Sequence, residues 1–213
     1  MKKHKYILRQ MKVDVITHYD LLIDEGNDPV CDTQPLKQYM DKWDGQPFMA
    51  ALQLDKSKSV LEIGVGTGRL AVKTAPHCNC LTGIDISPNT IERAKHNLTV
   101  FDNVLLICND FLTYDFKEKY DVIYSSLTWL HIQNKQFAVK KVAGLLNENG
   151  RFVLSISKGI ADTIDYGKWQ IEIFPDNPDE IKSFFKLSGL TLIDTVETEF
   201  AYILIAENNK CTV

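Results

Sequence analysis

The sequence predicts an α/β fold, in which a doubly wound, mostly parallel sheet closes with a C-terminal antiparallel hairpin and is preceded by an N-terminal helical lid. Two observations predict it. Short apolar segments alternate with amphipathic segments through the middle of the chain, a pattern typical of parallel sheets covered on both faces. The last two apolar segments are separated by only a short turn, which can join antiparallel strands but cannot make a parallel crossover.

The composition is that of an ordinary globular protein with one domain. The chain has 213 residues, of which 45% are hydrophobic and 24% are charged. Surface scaling predicts that folding buries about 70% of the surface, so the core needs no metal or disulfide to support it. The net charge of −4 argues against nucleic acid as a main partner, because a phosphate backbone calls for a basic face.

The sequence has no clear signal for secretion, membrane insertion, disulfide bonds or metal binding. The basic first residues are followed by no apolar core of signal-peptide length, and the longest apolar run, 202–206, is far shorter than the ~20 residues that span a bilayer. The cysteines are scattered and odd in number, at Cys31, Cys78, Cys80, Cys108 and Cys211. They form neither a disulfide framework nor a complete metal-ligand set. We therefore expect a soluble, cytoplasmic protein that binds no metal and no membrane.

The lid is predicted to cover residues 1–55. Within it, a helix is expected to begin at Pro35, because proline suits the first helical position, and to end near Gly45. Its apolar stripe, which recurs at helical spacing, consists of Leu36, Tyr39, Met40 and Trp43.

Residues 56–213 are predicted to form the main domain. Five buried strands are expected at 59–63, 80–85, 104–108, 121–125 and 152–156. The expected helices run through 70–75, from a Ser87 cap to Leu98, and from Phe137 through Leu146 to a turn at Asn149 and Gly150.

The C-terminal part begins with an insertion at 158–177, which we expect to lie over the substrate site, in part as a short strand. Asn177, Pro178 and Glu180 then have the order of a helix start: a cap, a proline at the first position and an acid at the third. Two strands at 191–196 and 200–206 complete the sheet as the hairpin.

A glycine-rich loop follows the first strand of the main domain. Gly64, Gly66 and Gly68 permit a tight turn and let a ligand approach bare backbone beside a helix N-terminus. The dinucleotide fingerprint would need glycine or alanine where this chain has Arg69, which counts against NAD as a ligand.

Two acids follow the next two strands. Asp85 ends the second strand, 17 residues past Gly68, where a carboxylate can accept both hydroxyls of a ribose. Asp110 follows the third strand, where it could accept from an adenine amino group while Phe111 flanks the ring. The carboxyl ends of parallel strands are where open α/β sheets bind ligands, so these groups should face one site.

Five motifs in order resemble those of class I S-adenosylmethionine-dependent methyltransferases. Residues 62–68 read Glu-x-Gly-x-Gly-x-Gly, 85–87 read Asp-Ile-Ser and 109–111 read Asn-Asp-Phe, as in the first three motifs. The segments 120–125 and 145–151 resemble the next two, with Asn-Glu-Asn-Gly in place of the family's usual Lys-Pro-Gly-Gly turn. The resemblance covers about residues 58–158, and the hairpin ending agrees with the family's seven-stranded sheet.

The resemblance implies S-adenosyl-L-methionine as the cofactor and assigns residues to its methionine end. Gly64, Gly66 and Gly68 would form the loop that the methionine part passes, and Glu62 would support that loop and reach the ammonium through water. Ser125, at the end of the fourth strand, would lie near the methionyl group.

The resemblance also assigns residues to the adenosine end. Asp85 would take the ribose diol and Ile86 would cover one adenine face. Asp110 would take the adenine amino group, and the Phe111 amide would bind a ring nitrogen.

The sequence indicates the catalytic residues less clearly than the cofactor-binding residues. Methyl transfer is an in-line displacement, in which positioning can supply most of the acceleration and a base is needed only if the acceptor must lose a proton. His131, just after the fourth strand, is the candidate base, although it could equally start or cap the next segment. In the lid, His18 and Tyr19 could close over the methionyl end, or Tyr19 could simply pack against Leu21 and Leu22.

The expected reaction is methyl transfer to an oxygen or nitrogen of a small molecule, because two covering segments make an enclosed pocket. The insertion adds aromatic residues and the acids Asp162, Asp165 and Glu172, which would suit a partly apolar, amine-bearing acceptor, although a surface flap with its own small core fits the same pattern. Two alternatives stay open, an NAD-binding oxidoreductase and a non-catalytic sensor of S-adenosylmethionine or S-adenosylhomocysteine. A monomer or a homodimer is expected.

Overall fold

The computed structural model describes residues 11–209, so the first ten residues of the predicted lid and Cys211 lie outside the described part. The strands are β1 (Met11–Val13), β2 (Ser59–Ile63), β3 (Cys80–Asp85), β4 (Val104–Cys108), β5 (Tyr120–Ser126), β6 (Leu146–Ser157), β7 (Thr163–Asp165), β8 (Trp169–Glu172), β9 (Thr191–Glu197) and β10 (Ala201–Glu207). The α-helices are α1 (Val15–Asp24), α2 (Gln34–Met40), α3 (Gly45–Ala51), α4 (Ala71–Thr74), α5 (Pro88–Asn97), α6 (Lys135–Leu145) and α7 (Pro178–Leu187). Short 3-10 helices cover Ala75–His77 and Trp129–His131.

Seven strands form the central sheet, in the order β4-β3-β2-β5-β6-β10-β9. The first five strands of this order are parallel, and β10 runs antiparallel to both of its neighbours. Two apolar cores cover the sheet, one built with α6 and α7 and the other with α3, α4 and α5. The fold class predicted from the sequence, including the closing hairpin, is confirmed.

Two predicted helices end earlier than the sequence indicates. Leu146 has extended backbone and begins β6, where it pairs with Tyr120, so α6 stops at Leu145. The predicted lid helix ends at Met40, and Trp43 lies beyond it. The Trp43 ring packs on Phe200 in the hairpin, with ring centroids 4.6 Å apart, so this tertiary contact replaces the continuous helical stripe.

A second, three-stranded sheet has the order β1-β8-β7 and joins the chain before α1 to the insertion. The short strand predicted in the insertion is present as β8, whereas β1 has no clear signal in the sequence. Trp169 and Ile171 of β8 are buried, and the Trp169 indole N–H donates to His18 Nδ1 of α1 at 2.9 Å, so the insertion packs against the lid. The domain boundary near residue 55 stays a prediction. No helix within residues 11–209 is long and apolar enough to cross a bilayer.

Lys135 attaches the end of the insertion to the body. Its buried ammonium donates to the carbonyl oxygens of Trp129, at 3.0 Å, and Phe174, at 2.9 Å. The same ammonium lies 2.7 Å from Asp176 Oδ1, whose side chain is 1% exposed. Because Trp129 begins the 3-10 helix that ends at His131, this cluster fixes the insertion against the segment that carries the candidate base.

The substitution Lys135→Met tests this attachment. It leaves Asp176 buried without a cation, so we expect the free energy of unfolding to fall by about 3–5 kcal/mol. Urea denaturation at neutral pH measures the change. Lys168→Met is the matched control, because Lys168 pairs with Glu25 on the surface and such pairs contribute about 0–1 kcal/mol. Equal losses in the two variants would contradict the attachment.

Candidate functional site

A cavity of about 610 Å³ opens at the carboxyl ends of β2, β3, β4 and β5. Nine of the eleven site residues predicted from the sequence line it: Tyr19, Glu62, Gly64, Gly66, Asp85, Ile86, Asp110, Phe111 and His131. The remaining two, Gly68 and Ser125, are not among its lining residues. The cavity is covered by Val15 and Tyr19 from α1 and by Phe174 from the insertion.

The glycine-rich loop forms one wall of the cavity and is fixed by its surroundings. Gly64 has φ +74°, and a Cβ at this position would lie 1.9 Å from Thr128 Oγ1. Gly66 has φ +57°, and a Cβ there would meet no atom within 4 Å, so the cavity side of this residue is open. Gly68 instead packs against Leu98, which caps the C-terminal end of α5, so its role is close packing of the loop on that helix.

Asp85 links the glycine loop to the next strand. Its Oδ2 accepts from the Gly66 amide at 3.0 Å, and its Oδ1 accepts from the Ser87 amide at 3.0 Å. Burial raises the pKa of this carboxyl above its ordinary value, although the two amides oppose the shift. Asp110 is arranged in a similar way, with its Oδ1 accepting from the Leu112 amide at 2.8 Å.

Glu62 is the most deeply buried acid of the cavity wall, with 3% of the residue exposed. The Tyr124 hydroxyl donates to Glu62 Oε2 at 2.8 Å. Burial raises the pKa of this carboxyl to about 8, because removal from water disfavours the charged form, and neither Tyr124 nor the Arg69 guanidinium compensates fully. Burial therefore favours the neutral form of Glu62 at pH 7.

Sequence reasoning missed the ion pair that closes the base of the cavity. Arg69 Nη1 donates to Asp44 Oδ1 at 3.1 Å and Nη2 to Oδ2 at 2.5 Å, and Asp44 is fully buried. Asp44 also accepts from the Ser126 hydroxyl at 2.7 Å and from the Gly45 amide at 2.7 Å. Burial alone would raise the pKa of Asp44, but the guanidinium and these donors hold it below its usual range. Arg69, which stands where the dinucleotide fingerprint needs glycine or alanine, is thus bound to Asp44 of the lid.

The structure corrects the placement of Ser125. This residue is fully buried, and its hydroxyl donates to the Ile63 carbonyl at 2.9 Å, which ties β5 to β2. Successive side chains of a strand point to opposite faces, so the next residue, Ser126, lines the cavity instead. Phe111 also differs in part. The residue is 6% exposed and its ring packs against Phe116, so Phe111 is part of the core as well as of the cavity lining.

His131 and Tyr19 meet across the cavity. Tyr19 Oη lies 2.7 Å from His131 Nε2, and Nδ1 of the same ring is buried with no hydrogen-bond partner in the described part of the chain. Burial lowers the pKa of His131 to about 4, so its imidazole is neutral at pH 7. Burial also raises the pKa of the Tyr19 hydroxyl, which therefore stays protonated.

His18 connects Tyr19 to the insertion. The Trp169 indole N–H donates to His18 Nδ1 at 2.9 Å, and the Tyr166 ring lies 4.4 Å from the His18 ring, centroid to centroid. His18 is thus a packing residue within the lid and does not line the cavity. The acids of the insertion, Asp162, Asp165 and Glu172, are exposed and also do not line it, so an amine-bearing acceptor stays a prediction from the sequence.

Comparisons with known proteins agree with the geometry. Residues 60–150 match a family model described as a methyltransferase domain. A malonyl-[acyl-carrier protein] O-methyltransferase of Priestia megaterium is 30% identical over 143 residues, which cover 63% of this chain and 51% of that protein. A ubiquinone biosynthesis O-methyltransferase of Coxiella burnetii is 28% identical over 143 residues, covering 64% and 61%. The chain therefore spans about half to three fifths of these curated relatives.

Solved structures share the fold over most of their length. A magnesium protoporphyrin IX methyltransferase from Synechocystis, with bound S-adenosylmethionine, superposes with a TM-score of 0.72 at 17% identity, covering 91% of this chain and 94% of that one. An N-methyltransferase from Bradyrhizobium japonicum, in complex with S-adenosylhomocysteine, gives 0.67 at 20% identity, covering 90% and 98%. At these identities the likeness concerns the fold.

The substitution Gly64→Ala tests the close approach of the glycine loop to Thr128. The left-handed backbone and the overlap together should lower the free energy of unfolding by roughly 2–6 kcal/mol. Gly144→Ala is the matched control, because a Cβ there meets nothing within 4 Å and alanine favours the helix by about 0.5–1 kcal/mol. Thermal and urea denaturation report both. A Gly64→Ala protein as stable as the wild type would contradict the packing described here.

Proposed function

We propose that the chain transfers a methyl group from S-adenosyl-L-methionine to a small-molecule acceptor, starting from the match of residues 60–150 to a methyltransferase domain model. One observation carries the proposal. Glu62, Asp85 and Asp110 lie at or just beyond the carboxyl ends of three adjacent parallel strands and line one cavity, together with the open side of Gly66. Three acids around a bare backbone loop suit a ligand that presents an ammonium, a ribose diol and an adenine.

The residues present offer groups that suit this cofactor. The two Asp85 oxygens each hold one backbone amide, which leaves lone pairs on both for the hydroxyls of a ribose. Asp110 has only its Oδ1 engaged, by Leu112, so Oδ2 is available to an amino group. Ile86 lines the same wall and offers an apolar surface to a ring. S-adenosyl-L-methionine, when bound, supplies the methyl group on its sulfonium.

The protein then has to hold the acceptor and, for a hydroxyl acceptor, to remove its proton. The neutral His131 imidazole can accept a proton at neutral pH, and Tyr19 fixes one of its ring nitrogens. The lid and Phe174 exclude water from this end of the cavity, which favours a positioned displacement. His131 is therefore the candidate base, and Tyr19 is its positioning residue.

The acceptor is proposed to be uncharged and partly apolar, with a hydroxyl or amine as the nucleophile. Arg69 is the only lysine or arginine among the described residues that line the cavity, and its charge is already paired with Asp44. An acceptor with a carboxylate would thus find no cation, and a buried unpaired charge is costly. Val15, Met40 and Phe174 supply apolar surface for the rest of the molecule.

Calorimetric titration with S-adenosylhomocysteine, with NAD in parallel, tests the cofactor. We expect micromolar binding of the first and none of the second, and Asp85→Asn should weaken binding about 10- to 100-fold, as for a hydrogen bond to a charged group. Asp102→Asn, on an exposed acid far from the cavity, should bind as the wild type does. Tighter binding of NAD, or an unchanged Asp85→Asn, would overturn the assignment.

A screen for S-adenosylhomocysteine production tests the acceptor and the base. Neutral phenols, alcohols and amines should turn over, while matched carboxylates should not. With a hydroxyl acceptor, His131→Asn should lower kcat by roughly 10²- to 10⁴-fold. The wild-type kcat should be level near pH 7 and fall below about pH 4–5, where His131 gains a proton. A fully active His131→Asn would refute the base, and binding without turnover of any acceptor would favour the sensor.

A further inference from the structure

A buried chain of hydroxyl groups leads from the cavity into the core. Tyr124 Oη lies 2.8 Å from Glu62 Oε2 on one side and 2.8 Å from Thr74 Oγ1 on the other. Thr74 Oγ1 lies 3.3 Å from the Ala71 carbonyl oxygen, where the chain ends. Tyr124 and Thr74 are fully buried, so no solvent competes for these hydrogen bonds.

This chain can satisfy Glu62 in both of its protonation states. When Glu62 is ionised, Thr74 donates to Tyr124 and Tyr124 donates to the carboxylate. When Glu62 is neutral, its O–H donates to Tyr124, Tyr124 donates to Thr74, and Thr74 donates to the Ala71 carbonyl. In both directions every hydroxyl proton of the chain has an acceptor, and the Ala71 carbonyl keeps the Ala75 amide when Thr74 turns to Tyr124. A fixed donor at position 124 could not accept the O–H of the neutral acid.

The surroundings of Glu62 disfavour its negative charge until a cation arrives. The charged groups that act on it are Arg69, Asp44 and Asp85, and Tyr124 contributes its hydroxyl. Arg69 is paired with Asp44, and Asp85 adds a second carboxylate on the same cavity wall. Arg69 favours the charged form of Glu62, but its guanidinium is already paired with Asp44, and burial of the carboxyl outweighs its effect.

We propose that Glu62 holds a proton in the free protein and releases it to solvent when the amino group of the cofactor enters, with Tyr124 as the positioning residue whose hydroxyl reverses direction. The inference rests on the proposed function. The Glu62 O–H bond breaks and its proton goes to the buffer, while the ligand brings one ammonium charge to the carboxylate. Tyr124 and Thr74 rotate their hydroxyl groups and neither loses its proton.

Calorimetry with S-adenosylhomocysteine in two buffers of different ionisation enthalpy measures the proton directly. At pH 7 we expect close to one proton released for each ligand bound, and clearly fewer at pH 9, where Glu62 is already ionised. Glu62→Gln should bind without this release. Binding that releases no proton, or a release that persists in Glu62→Gln, would overturn the inference while leaving the proposed function intact. Absence of any binding would instead refute the proposed function.

The role of Tyr124 needs a separate comparison within β5. Tyr124→Phe removes the donor to the carboxylate, so proton release should persist to higher pH and affinity at pH 7 should fall roughly tenfold. Tyr120→Phe is the matched control, because Tyr120 is a buried tyrosine at the other end of the strand and does not line the cavity. If both variants shift the pH profile equally, Tyr124 has no special relation to Glu62.

A ligand-free measurement checks the same proton. Between the ordinary glutamate value near 4.5 and the raised pKa of about 8, the folded state binds more protons at Glu62 than the unfolded state. The contribution of Glu62 to stability therefore falls as pH rises through this window. The melting temperature of Glu62→Gln should lose less than that of the wild type from pH 5 to pH 8. Parallel curves would contradict the raised proton affinity.

Discussion

The cavity depends on one buried ion pair, between Asp44 at the start of α3 and Arg69 in the loop after β2. Asp44 is fully buried and receives the guanidinium, the Ser126 hydroxyl and the Gly45 amide, so the lid, the glycine loop and the end of β5 meet at one carboxylate. Once such charges are buried, removing either partner leaves the other without compensation. The pair therefore fixes the cavity wall, and it also neutralises the only lysine or arginine among the described residues that line the cavity.

Burial sets the protonation states of the cavity in a consistent way. It raises the pKa of Glu62 to about 8 and lowers that of His131 to about 4, so at pH 7 it favours the neutral form of both groups. A neutral acid at one end can give up a proton to receive a cation, and a neutral imidazole at the other can take one from an acceptor. Two hydrogen bonds hold the lid helix α1 over the cavity. Tyr19 bonds to His131, and Asp20 accepts from the Ser87 hydroxyl at 2.7 Å, which connects α1 to α5.

Most of the sheet could be predicted because its strands are continuous apolar runs bounded by turn residues, and three of them, β2, β3 and β4, have the predicted bounds. The glycine loop and the acids at strand ends could be found for the same reason, since local order fixes their place. Contacts between segments distant in the sequence could not be predicted in this way. Asp44 and Arg69 are 25 residues apart with no local pattern joining them, and β1 pairs with a strand more than 150 residues away. The prediction for Ser125 was wrong by one residue. Adjacent strand residues face opposite sides of the sheet, so Ser126 faces the cavity instead.

The central claim is that one cavity, between the lid and the carboxyl ends of the parallel strands, holds the methyl donor. A crystal structure of the protein with S-adenosylhomocysteine tests it most directly. The account predicts the ribose at Asp85, the adenine beside Ile86 and Asp110, the amino group toward Glu62, and the sulfur directed to the end of the cavity that holds His131 and Tyr19. A ligand bound outside this cavity, or one bound in it with its sulfur remote from His131, would contradict the account.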